Sequence, residues 1–76
     1  SYRVPASALP TAVDLVVYDL SGRAVRRLVS AQQVPGDYDV SWNGTNDANQ
    51  RVAAGMYVYR LAVGPQKASG KLVLLP

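Results

Sequence analysis

The sequence predicts an all-β domain, a small antiparallel sandwich. Three observations predict it. Apolar runs of strand length recur along the chain and are rich in β-branched and aromatic residues, which fit a pleated, half-buried surface. Turn signals separate them roughly every 8–12 residues, Ser21-Gly22, Pro35-Gly36, Asn43-Gly44, Asn46-Asp47, Gly55 and Gly64-Pro65 among them. No stretch sustains a helical apolar period over a helix's length.

The stretch Ala54 to Val63 is the expected spine. Gly55 supplies backbone freedom for the turn into it. Tyr57, Tyr59, Leu61 and Val63 then fall on one face, and Met56, Val58, Arg60 and Ala62 on the other. A strand apolar on most positions of both faces belongs in the middle of a sheet, with a neighbour on each side.

In chain order, Ser1 to Pro5 reads as a short first strand with Tyr2 and Val4 on one face. Proline at 5 and 10 removes ladder donors and marks an edge. Ala6 to Thr11 is a connection. Val13 to Leu20 is the second strand, with Val13, Leu15 and Val17 opposite Asp14, Val16 and Tyr18. Ser21-Gly22 turns the chain into Arg23 to Val29 as a hairpin return. The apolar residues of that return are split between parities: Val25 and Val29 on one, Ala24 and Leu28 on the other.

After the loop Ser30 to Gly36, the segment Asp37 to Trp42 alternates cleanly. Tyr38, Val40 and Trp42 form a dry face against Asp37, Asp39 and Ser41. Asn43 to Arg51 is a polar loop of turn formers. Val52-Ala53 is a short strand leading into the spine, and Lys67 to Leu75 closes the domain. In that last strand Leu72 and Leu74 oppose Lys71 and Val73. The total is about seven short strands, the pattern of an immunoglobulin-like antiparallel β-sandwich. Gly36-Asp37-Tyr38 and Gly55-Met56-Tyr57 echo each other. A tyrosine near the start of a strand can cap a corner with its hydroxyl on nearby backbone, and Tyr38 and Tyr57 read as such corner residues or as core residues rather than as ligand-stacking aromatics.

A chain of 76 residues makes a single domain, residues 1–76. It has no cysteine, which excludes a disulfide framework and thiolate metal sites. It has no histidine, which excludes Ser-His-Asp and Cys-His catalysis. The net charge of +3 is mild and scattered, with Arg23 to Arg27 its only cluster, and reads as a solvated face rather than a nucleic-acid site. Asp37 and Asp39 share a strand face about 7 Å apart, a spacing open to glycoside hydrolysis in principle and read as a solvated face. The loop oxygens of Asn43, Asn46, Asp47 and Asn49 are a weak calcium candidate with one carboxylate among them, and a self-bonded loop is the preferred reading. Trp42 continues an apolar face and reads as core rather than as a sugar platform. No enzyme, cofactor, small-molecule substrate or nucleic-acid partner is expected.

Three segments carry a resemblance: VVYDLSGRAVRRLV, VPGDYDVSWNGTNDANQRVAAGMYVYRLAVG and KLVLLP. Together they resemble the C-terminal domain of proteins exported by the type IX secretion system. They also resemble the Ig-like domain of the flagellar hook-capping protein. The match runs from Val13 to Leu75, with Asn43 where Asp is common and Asn49 where Gly is common. The first resemblance implies a non-catalytic sorting and anchoring address at the end of a larger secreted protein, often a hydrolase. Its partners would be the outer-membrane export machinery and an upstream cargo domain in the same chain. Its route would be the periplasm in transit, then the cell surface or the medium.

Carried over to this chain, the recognition positions are Gly55, Tyr57, Lys71, Leu72, Val73 and Leu74. The last strand could then be read by strand addition at a sheet edge, or its leucines could simply close the core. The second resemblance implies a structural Ig-like module that packs in an assembly. A carbohydrate-binding accessory module is a third class. It requires exposed coplanar aromatics, which the inward parity of Trp42 and the tyrosines does not supply.

Overall fold

A computed structural model describes residues 1–7 and 9–76. The chain is an all-β, Ig-like sandwich of six strands in two antiparallel sheets, with no helix among the described residues. The strands are β1 (Tyr2–Val4), β2 (Thr11–Tyr18), β3 (Ala24–Gln33), β4 (Gly36–Tyr38), β5 (Gly55–Val63) and β6 (Gln66–Leu74). One sheet is four-stranded in the order β3-β2-β5-β6, and the other pairs β1 with β4. The predicted spine is β5, hydrogen-bonded to β2 on one side and β6 on the other. Ala8, within the predicted connection Ala6 to Thr11, lies outside the described residues.

The sequence expectation of about seven strands is corrected to six. Val52-Ala53 forms no strand, and Arg51 only bridges to Thr45. The Asp37 to Trp42 strand stops at Tyr38. Its partner β1 runs from Tyr2 to Val4, in the register Val4↔Gly36 to Tyr2↔Tyr38, and offers no ladder beyond Tyr2. Asp39 therefore leaves the strand, and the regular face it was expected to share with Asp37 does not form. In the other direction β3 is longer than predicted. Thr11↔Gln33 pairing carries it through most of the expected loop.

The mixed parity of the hairpin return also has a cause. The β2–β3 register shifts between Leu15 and Val16 and again between Val17 and Tyr18, so Leu28 and Val25 have no partner in the register. Each extra residue flips the side-chain alternation that follows it.

The two sheets meet at Val4, Val13 and Val17, which are the most deeply buried large side chains at 1%, 1% and 0% exposure. Burying a valine fully contributes roughly 1.5–3 kcal/mol, so these three hold the small sheet on the large one. The two-stranded sheet is too small to cover the four-stranded one. A cavity of 270 Å³ remains between them, lined among others by Tyr2, Leu15, Leu28, Trp42, Tyr59 and Leu72. That shortfall is why Leu28, Leu61 and Leu72 are only half-buried although they face inward.

Candidate interaction surface

The six positions expected to serve recognition fall on two adjacent strands. The β5–β6 register sets Gly55 opposite Leu74, Met56 opposite Val73, Tyr57 opposite Leu72 and Val58 opposite Lys71. Alternation then divides them between the faces. Gly55, Tyr57, Leu72 and Leu74 lie on the inner side. Lys71 and Val73 point out and are exposed. Leu74 covers Gly44, where an added Cβ would sit 3.0 Å from the Leu74 Cδ1. The leucines of β6 thus contribute to the core, and its alternate residues build the outer surface.

The two Gly-x-Tyr segments form the corners expected of them. Gly36 and Gly55 take φ of 150° and 145°, a region that side chains rarely adopt. The Tyr38 hydroxyl donates to the Val34 carbonyl at 2.6 Å, and the Tyr57 hydroxyl to the Ala53 carbonyl at 2.5 Å. Trp42 packs edge-on against Tyr57 with centroids 5.0 Å apart, and its Nε1 donates to the Thr45 carbonyl at 2.8 Å. That is a half-buried structural tryptophan, although no strand carries it. Tyr2 and Tyr38 stack with centroids 5.5 Å apart and cover one face of each other.

The loop oxygens expected as a weak calcium site are turned to protein donors. Asn43 Oδ1 accepts from the Thr45 hydroxyl at 2.6 Å. Asn46 Oδ1 accepts from the backbone N–H of Ala48 and Gln50. Asp47 Oδ1 accepts from the Arg27 N–H at 3.0 Å, and Asn49 Oδ1 from Arg26 Nη1 at 3.2 Å. Arg26 also donates to the Asn46 carbonyl at 2.7 Å. The loop is self-bonded and clamped to β3. Asn49 holds the left-handed conformation, φ 62°, which asparagine tolerates where glycine is common in the resembling sequences.

Asp37 is held by Arg3, with Arg3 Nε on Oδ1 at 2.7 Å, and that bond raises the Arg3 guanidinium pKa above its ordinary value. Asp19 is held below the usual carboxylate range, chiefly by the Ser21 hydroxyl that donates to it, then by the Arg23 N–H. Arg3 is exposed and Asp19 half-buried, and both belong to local structure. No group of three metal-ligating side chains occurs among the described residues.

The outer face of the four-stranded sheet was not singled out by the sequence. Arg27, Val16, Arg60 and Ser69 form one cross-strand row. Tyr18, Val58 and Lys71 form the next, and Asp14, Ala62 and Lys67 flank on the other side. The Arg60 guanidinium lies 5.4 Å from the centre of the Tyr18 ring. Arg27 pairs with Asp14 at 3.1 Å. Among the described residues Arg60, Lys67 and Lys71 have no carboxylate partner. A shallow depression of 480 Å³ runs along this face, lined by Asp14, Val16, Tyr18, Arg60, Ala62 and Lys67 among others. The parity of β5 placed Arg60 here. The lysines join it only through the β5–β6 register, which the sequence alone does not fix.

The chain matches the FlgD Ig-like domain over residues 3–72, nearly its whole length and both sheets. The protein belongs to the FlgD Ig-like domain family. Searches of curated proteins and of solved structures gave no match. As an Ig-like domain of this family it is a structural, non-catalytic module. The hook-capping half of the sequence resemblance is thereby established at the level of the family.

Proposed function

We propose that this Ig-like domain is a structural module that packs against neighbouring protein in an assembly and carries no chemistry of its own. The family match over residues 3–72 is the observation that supports this most. The side chains agree with it. Polar groups at the loop are spent on holding backbone, and the tyrosine hydroxyls of the two corners are spent on carbonyls. The export-address reading is the second proposal. It rests on the sequence resemblance and on one observation: β6 is an edge strand paired with β5 alone, and so offers backbone groups for strand addition. In that reading Gly55, Tyr57, Lys71, Leu72, Val73 and Leu74 meet outer-membrane export machinery, and the attached cargo passes through the periplasm to the cell surface.

The two readings part in an export assay. Residues 1–76 are fused behind a periplasmic reporter in a bacterium with a type IX system and in a strain lacking it. The structural module leaves the reporter in the periplasm of both strains with the domain folded. Reporter on the surface of the competent strain alone contradicts that and establishes the address.

A further inference from the structure

We propose that the outer face of the four-stranded sheet is the docking surface of the module, and that it takes an acidic protein surface. This inference rests on the structural-module reading and names the face and chemistry it would use. The first argument is charge. The face carries Arg27, Arg60, Lys67 and Lys71 against Asp14, with Asp19 at its margin near Tyr18 and Arg60. Of these four only Arg27 is paired with a carboxylate, so Arg60 on the central strand β5 and Lys67 and Lys71 on the edge strand β6 remain available to carboxylates of a partner.

The second argument is the apolar ground beneath them. Val16 is 6% exposed although no second layer covers it, because Arg27 and Arg60 flank it across both neighbouring strands. The Arg60 head lies over the Tyr18 ring and the Arg27 head meets Asp14, and long charged side chains can cover apolar surface with their stems. At one end Met56 and Val73, paired across the strands, are 44% and 59% exposed. Apolar ground that includes Tyr, Met and Arg, with lysines along one edge, has the make-up of a protein interface.

The chemistry favours one occupant. A second copy of this chain would set the same cations against each other, which disfavours a face-to-face dimer. A membrane would be met best by apolar side chains on a protruding loop. Here Met56 and Val73 stand in the plane of a regular sheet, on strands that also carry Arg60, Lys67 and Lys71. A complementary acidic sheet or helix face satisfies both the cations and the apolar ground.

The test uses poly-L-glutamate as the probe, titrated into the isotopically labelled chain and read by amide chemical shifts. Expected are shifts centred on Val16, Tyr18, Arg60, Ala62 and Ser69 that vanish with added salt. The double variant Lys67→Gln/Lys71→Gln should weaken binding about tenfold. The control Arg23→Gln/Arg51→Gln removes the same charge elsewhere and should change it less than about twofold. Equal loss in both variants would mean attraction to net charge alone and overturn the proposal. So would binding to phosphatidylglycerol vesicles without binding to poly-L-glutamate.

The face and the module reading fail separately. In a longer, assembling protein that carries this domain, assembly that is lost on deleting residues 1–76 but unaffected by Lys67→Gln/Lys71→Gln keeps the module and sinks this face. Assembly indifferent to the deletion sinks the module itself.

Discussion

Tyr38 and Tyr57 stand in the same local motif and live in different surroundings. Both follow a glycine by two residues, both glycines take nearly the same positive φ, and both hydroxyls reach the carbonyl four residues back. Yet Tyr57 is 7% exposed, lies in a nine-residue strand with neighbours on both sides and packs on Trp42. Tyr38 ends a three-residue strand in the two-stranded sheet and stacks on the half-buried Tyr2. The corner is a local device that sequence spacing dictates. What it contributes to stability depends on the sheet around it.

The largest break in that parallel comes from truncation. Tyr57→Ala should cost about 3–5 kcal/mol by leaving a cavity against Trp42. Tyr38→Ala should cost roughly 1 kcal/mol, since half its surroundings are water. Urea unfolding of the two variants measures the gap. The glycines should behave alike. Gly36→Ala and Gly55→Ala each force a side chain into a φ it avoids, at about 1–3 kcal/mol, and neither Cβ meets a close atom. Equal midpoint shifts would show that this term is local, while a much larger loss at Gly55 would assign it to the sheet.

Removing only the hydroxyls sharpens the comparison further. Tyr57→Phe should cost about 1 kcal/mol, and Tyr38→Phe less than about 0.5 kcal/mol, because its bond is exposed to competing water. The smallest effect belongs to another local device, the Asp19 turn between β2 and β3. Its carboxylate is held below the ordinary value, so its contribution is present above the usual carboxylate pKa and is lost as pH falls through the folded one. Asp19→Asn should therefore lower stability slightly at neutral pH and leave it nearly unchanged at low pH, which flattens the acid limb of the profile.

The same division explains what could be read from the sequence. The spine β5, the hairpin of β2 and β3 and both tyrosine corners follow from alternation and turn chemistry within a few residues of each other, whereas Trp42 packs inward without the strand that alternation predicted for it. The early end of β4 does not, because it depends on how far β1 pairs. Nor do the two register shifts that reconcile Val25 and Leu28 with one sheet. The basic outer face was invisible for the same reason. Arg27, Arg60, Lys67 and Lys71 come from three strands and meet only in the register.

The most direct test of the central claim is sedimentation of a longer, assembling protein that carries this domain, with and without residues 1–76. A structural Ig-like module predicts that the deletion leaves the remaining domains folded and any activity they have intact, while the protein falls out of the assembled fraction. A truncated protein that still assembles in full, or that loses a catalytic activity borne by these residues, would contradict it.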